Sequence, residues 1–252
     1  MEKSKNELIE KRRKKIRRKR IFGLMVFLIA VLITLSIELP YFKIQNIKVY
    51  NNNRVSSDEI IKASNIEKDS NIFYININKV KDNILDNPYI LSVQVKRKLP
   101  NSLNIYVQER NAVFYAEKGK KYAIIDKNGI CLEIKDTINN MNLIKLTGVD
   151  TSKVNVGNVI PVDDKRKLST ISTLTDIITA NNICKNINTI DIQDEVNIVA
   201  YYNKMEIKLG SSDNILSKLN RAINIINGEN LTTSTGYVDV SYNGNPVYSI
   251  DK

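Results

Sequence analysis

The residues best spaced for chemistry stand at the end of the sequence. Ser249-x-x-Lys252 has the S-x-x-K spacing in which a lysine amine activates a serine nucleophile. Such a lysine must be desolvated to lower its pKa, and Lys252 is the last residue, where desolvation is hard to arrange. The only S-D-N, Ser212 to Asn214, precedes the pair and reads as the start of a helix, and there is no K-T-G. The sequence has no histidine, which removes Ser-His-Asp and Cys-His machinery, HExxH zinc sites and imidazole acid/base catalysis. Asp and Glu are plentiful, but spacing singles out no pair for glycoside cleavage. The two cysteines, Cys131 and Cys184, fit neither a CxxC redox pair nor a zinc knuckle. Buried thiols are expected; a single disulfide is the alternative, if the two Cα atoms come within bridging distance. No enzyme activity, cofactor or metal site is expected.

Charge is distributed unevenly. Met1 to Arg20 holds eleven Lys or Arg against Glu2, Glu7 and Glu10, accounting for +8 of the formal +11 and leaving +3 for the rest. The remainder has no basic stripe interleaved with stacking aromatics, so nucleic acid is not an expected partner.

Ile21 to Ile37 carries no charge, and Leu39 extends the apolar stretch past Glu38. As a helix it measures about 26 to 28 Å, enough to cross a hydrocarbon core. The basic residues before it, Lys11, Arg12, Arg13, Lys14, Lys15, Arg17, Arg18, Lys19 and Arg20, predict a cytoplasmic N-terminus and an extracytoplasmic C-terminus. The stretch is too long for a cleaved signal peptide and no small-x-small site follows it. A retained single-pass anchor in the cell membrane is expected.

The rest reads as α+β. Lys43 to Tyr50 predicts a strand with Ile47 and Val49 on one face, followed by a capping box at Ser56 and Glu59 opening a short helix. A second helix, Asn78 to Asp86, turns Val80, Ile84 and Leu85 inward before Pro88. Leu91, Val93 and Val95, then Leu103, Ile105 and Val107, alternate with polar residues on either side of a Leu99-Pro100 turn. This is a β-α-α-β-β unit. Beyond Ala112, strands are expected at Val113–Ala116, Tyr122–Asp126, Ile130–Ile134, Leu143–Leu146, Ile187–Ile192, Val196–Tyr202, Met205–Leu209 and Gly236–Tyr242. Two helices interrupt them, one with Leu168, Ile171, Leu174 and Ile178 inward, the other with Ile215, Leu219, Ala222 and Ile226. The expected organisation is a basic tail 1–20, a transmembrane helix 21–39, a first folded unit 40–111 and a mixed-sheet β domain 112–252.

This succession resembles the FtsQ/DivIB family of bacterial cell-division proteins. The likeness is carried by VQVKRKLPNSLNIYVQER (Val93 to Arg110), similar to the family's strand-turn-strand with its Glu-Arg exit. YAIIDKNGIC, like the family's Val-Asp-x-x-Gly hairpin, and the closing YVDVS add to it. Ala112 and Ser241 depart from the family pattern, which often has Pro and a basic residue there. The resemblance implies a POTRA-type domain over 40–111. It also implies a non-enzymatic divisome component at the septum that binds FtsL and FtsB/DivIC partners and helps control septal peptidoglycan synthesis, within reach of the synthase complex. The alternative is a POTRA-bearing polypeptide-transport or envelope-assembly factor.

The residues themselves suggest how binding would work. A strand at a sheet edge offers unpaired N–H and C=O groups to a partner strand. The closing strand, with Tyr237, Val238, Asp239, Val240, Ser241 and Tyr242, is the expected edge, followed only by the short Val247–Ile250 piece. The competing reading puts this strand inside the sheet.

Overall fold

The computed structural model describes residues 2–139, 141–180 and 186–251. Cys184, and with it the expected pairing alternative, lies outside the described residues; among the described residues Cys131 is buried and free. The chain divides into two compact units, Met1–Ile84 with Ser92–Val107, and Leu85–Leu91 with Gln108–Lys252.

The first unit begins with one continuous helix, α1 (Glu2–Glu38). Its described side chains, 12–35, are all exposed. Among the described residues no helix is long and apolar enough to cross a membrane. The uncharged run with described side chains, Ile21 to Leu35, measures about 22 Å, and the side chains of Ser36, Ile37 and Glu38 lie outside the described residues. A 3-10 turn, Pro40–Phe42, follows, with proline at the helical start where its missing N–H matters least.

A three-stranded sheet comes next, in the order β1 (Asn46–Tyr50), β3 (Ser102–Glu109), β2 (Ile90–Lys98), with β1 parallel to β3. Parallel neighbours need a crossover, supplied by α2 (Ser57–Ala63) and α3 (Ile77–Leu85). The expected capping box is present: the Glu59 amide donates to Ser56 Oγ, and the Ser56 amide to Glu59 Oε2. Ile60, Val80, Ile84, Leu103, Ile105 and Val107 are buried as their periodicity predicts. Leu85 and Leu91, expected inward, are 42% and 38% exposed. Both belong to the stretch Leu85–Leu91 that the second unit claims, where Tyr89 and Ile90 are the buried residues instead.

The second unit is a nine-stranded mixed sheet. Its strands are β4 (Ala112–Lys118), β5 (Lys121–Asp126), β6 (Cys131–Lys135), β7 (Ile144–Thr147), β8 (Ile187–Asp191), β9 (Ile198–Tyr202), β10 (Met205–Gly210), β11 (Gly236–Asp239) and β12 (Val247–Ile250). They lie in the order β12-β11-β10-β9-β8-β7-β4-β5-β6. Two parallel pairs, β7–β8 and β10–β11, are bridged by α4 (Arg166–Ala180) and α5 (Ile215–Gly228) respectively. Ile215, Leu219, Ala222 and Ile226 of α5 are buried as expected. They join one apolar cluster with Phe114, Ile125, Leu146, Ile190, Ala200, Ile207 and Val238 from alternate strand positions.

The face of α4 is rotated from the expected one. Its buried residues are Lys167, Thr170, Ile171, Leu174, Thr175 and Ile177, with Leu168 and Ile178 only partly covered. A buried lysine is tolerated because its ammonium is satisfied: Nζ donates to Gln193 O at 2.9 Å and pairs with Asp163 at 2.8 Å. It ties the helix to the 148 and 193 turns, a role that apolar periodicity does not reveal.

Candidate protein-interaction edge

The two ends of the large sheet differ. At β6, the Cys131 amide donates to Asn158 O, the Gly157 amide donates to Cys131 O, and Ile130 bridges Val159, so the strand's start is covered by its own chain. At the other end β12 has, among the described residues, a single strand neighbour, β11. All four β12 residues are exposed, Val247, Tyr248 and Ile250 at 49%, 43% and 48%.

The expected edge, Gly236 to Tyr242, is therefore corrected. The ladder of β11 ends at Asp239 and is occupied on both sides, parallel to β10 and antiparallel to β12. It ends there because Asp239 Oδ1 accepts from the Ser241 amide at 2.9 Å and from Ser241 Oγ at 2.7 Å, turning the chain. Val238 and Val240 are core residues at 0% and 1% exposure. Tyr237, Asp239 and Ser241 are half-buried, and Tyr242 is exposed in the following turn, its hydroxyl donating to Asn245 O. The signal for the true edge was present: Val247-Tyr248-Ser249-Ile250 is strand-prone and follows an Asn-Gly-Asn-Pro turn.

Register gives each face of this edge a character. On one face Tyr201, Glu206, Tyr237 and Ser249 lie side by side across β9, β10, β11 and β12. There Lys208 Nζ stands 4.1 Å from the centre of the Tyr237 ring. Burial, with Glu206 and Asp191 nearby, pushes the Tyr201 hydroxyl above its ordinary pKa. On the helix-bearing face the row Ala200, Ile207, Val238 ends in Tyr248, and the row Tyr202, Met205, Gly236 ends in Ile250. The apolar face of the sheet thus runs past its last covered strand and stops in two exposed side chains. Backbone groups alternate too. The Asp251 amide donates to Thr235 O at 2.9 Å, which makes that pair hydrogen-bonded; by alternation the N–H and C=O of Tyr248 and Ile250 point away from β11. α5 braces the connecting turn, with Arg221 Nη2 donating to Gly244 O at 2.7 Å.

Of the other sequence candidates, Ser249 sits in β12 and Lys252 lies outside the described residues. Arg12 to Arg20 are exposed along α1, and the side chain of Lys11 lies outside the described residues. Among the described residues no cluster of three or more His, Cys, Asp or Glu is arranged to hold a metal.

Residues 42–110 match the family model described as POTRA domain, FtsQ-type, and residues 114–241 match Cell division protein FtsQ/DivIB, C-terminal. The cell division protein DivIB of Clostridium acetobutylicum is 46% identical over 250 residues, covering 99% of this chain and 100% of that one. DivIB of Clostridium botulinum is 40% identical over 251 residues, 99% of this chain and 98% of the relative. DivIB of Bacillus subtilis is 33% identical over 124 residues, 49% of this chain and 47% of the relative. These similarities do not favour the transport alternative. With both folded units matched in order and relatives aligned over nearly the whole length, the chain belongs to the FtsQ/DivIB family of bacterial cell-division proteins.

Proposed function

We propose that this protein is a non-enzymatic, single-pass membrane component of the division apparatus that captures partner proteins on the open edge of its large sheet. The edge carries the reading: β12 has one neighbour, outward-facing backbone groups at Tyr248 and Ile250, and exposed apolar side chains that end the core rows. A partner strand laid along β12 would satisfy those groups and bury those side chains, with Tyr237, Asp239, Ser241 and Tyr242 beneath and beside it. The partners are those the family resemblance implies, FtsL and FtsB/DivIC, and through them control of the septal peptidoglycan synthase.

Anchoring by α1 belongs to the same proposal. Every side chain from Ile21 to Leu35 is exposed, including Phe22 at 69% and Phe27 at 67%, an apolar surface suited to lipid and poorly suited to water. The sequence continues the uncharged run to Ile37, and the basic Lys11–Arg20 stretch would hold the N-terminus in the cytoplasm and the folded units outside.

The test is capture of a FtsB/DivIC-type partner by the full-length chain, compared with a chain lacking 246–252. Capture should be lost while the amides of β9 and β10 keep their hydrogen-exchange protection. Retained capture would remove β12 from the interface. A fluorescent fusion to the cytoplasmic tail should form mid-cell rings, and uniform peripheral signal would count against the septal role.

A further inference from the structure

A second exposed apolar surface lies in the first unit, where the chain leaves α1. Tyr41 and Tyr74 are 64% and 65% exposed and Phe73 is 45% exposed. Three rings form one group, Tyr41 meeting Phe42 edge-on at 5.5 Å between centroids and Phe42 meeting Phe73 at 5.2 Å, and Tyr74 follows Phe73 in the chain. Water-facing aromatics on a loose loop would mean little, but this loop is built. The Ile72 amide donates to Phe42 O, the Phe73 amide to Asn71 Oδ1, and the Tyr74 amide to Asn71 O. Ile72, fully buried, roots the loop. From β2, Arg97 clamps it on both sides of the aromatic pair, Nε donating to Ile72 O at 2.8 Å and Nη2 to Ile75 O at 2.7 Å. With Ile72 turned in and its carbonyl held, Phe73 and Tyr74 are presented outward on a rigid support.

Position identifies what covers them. The Leu39 amide donates to Leu35 O, the Phe42 amide to Leu39 O and the Lys43 amide to Pro40 O, so hydrogen-bonded backbone leads directly from the end of α1 to the aromatic group. Exposed Lys43 follows the group in the chain, and exposed Lys68 neighbours Asp69, whose amide donates to Ile44 O. Rings with one polar tip, beside lysines and directly beyond an apolar helix, have the chemistry of a bilayer interface.

We infer that Tyr41, Phe73 and Tyr74 form a lipid-docking surface that seats the first folded unit on the outer face of the bilayer. The inference rests on the proposed reading of α1 as a membrane span. Phe73 and the tyrosine rings enter the headgroup region, and Arg97 is a positioning residue that keeps the loop aimed at it.

The sequence contains no tryptophan, so one introduced tryptophan reports its own surroundings. Full-length Phe73→Trp, Leu28→Trp and Tyr248→Trp chains would each be reconstituted in phosphatidylcholine/phosphatidylglycerol vesicles. The lipids would carry bromine either near the headgroup end of the acyl chains or near their middle. The expected result is quenching of Leu28→Trp by mid-chain bromine and of Phe73→Trp by headgroup-proximal bromine, with blue-shifted emission from both and neither effect for Tyr248→Trp. Tyr74→Trp repeats the measurement should Phe73→Trp fold poorly. Quenched Leu28→Trp beside unquenched Phe73→Trp and Tyr74→Trp overturns the docking surface and leaves the span intact. Unquenched Leu28→Trp overturns the span, and the docking surface with it.

Discussion

Gly236 faces Ile250 across the β11–β12 ladder with its backbone so close to Ser249 that a Cβ would collide with the Ser249 carbonyl. Its φ of +149° is also one that side-chain-bearing residues rarely adopt. Both features serve β12: without glycine there, the edge strand cannot close onto its neighbour. Gly236→Val should detach Val247–Ile250 at a local penalty of about 1–3 kcal/mol. Hydrogen exchange would show lost protection confined to that strand, and partner capture should fall with it. Full capture by a chain whose β12 amides exchange freely would show that the ordered edge is not what partners read.

Alternation along β12 separates the strand's internal bonds from those it offers outward. Tyr248→Pro removes an N–H that points away from β11, whereas Ser249→Pro removes one that points toward it. Tyr248→Pro should weaken partner capture and leave the Asp251 amide protected. Ser249→Pro should lose both. Tyr248→Phe keeps the backbone donor and gives up only a 3.4 Å contact to Glu229, so its capture should stay near wild type. Equal capture by Tyr248→Pro and wild type would exclude strand addition at this position.

Much of this architecture was legible because strands and helices here keep their periods. Leu103, Ile105 and Val107 alternate cleanly, and the four positions of α5 expected inward, Ile215, Leu219, Ala222 and Ile226, are all buried. The edge was less legible for a physical reason. Gly236–Asp239 and Val247–Ile250 are both short strand-prone runs, and what makes one interior and the other the edge is which has a second neighbour. That fact belongs to the fold as a whole. Lys167 escaped notice similarly, since only tertiary contacts supply the carbonyl and carboxylate that let it be buried.

Asp126 is the polar lock of the second unit. It is 2% exposed, its Oδ1 accepts the amides of Asn128 at 2.9 Å and Ile130 at 2.7 Å, and its Oδ2 pairs with Arg110 at 2.9 Å. Asp126→Ala strands two hairpin amides and a largely covered guanidinium, and should destabilise the unit by about 3 kcal/mol or more. Asp126→Asn keeps an acceptor for the hairpin and should cost less. Urea denaturation of the detergent-solubilised chain measures both, and indistinguishable midpoints for wild type and Asp126→Ala would refute the lock.

The buried thiol of Cys131 gives a pH dependence of known sign. Burial raises its pKa above the ordinary value of 9.0, outweighing the lowering by Lys118 and by its hydrogen bond to the Glu133 backbone. The folded state therefore holds the thiol proton more tightly than the unfolded chain. That contribution is fully present below the ordinary thiol pKa and is lost as pH rises from there through the folded value. In a Cys184→Ser background, the stability of the chain should drop more steeply above pH 9 with Cys131 present than with Cys131→Ala. Alkylation of Cys131 by iodoacetamide should be slow in the folded protein and rise to the rate of an open thiol only on unfolding. A folded-state rate equal to that of the denatured chain would mean that the thiolate forms as easily inside the second unit as in water.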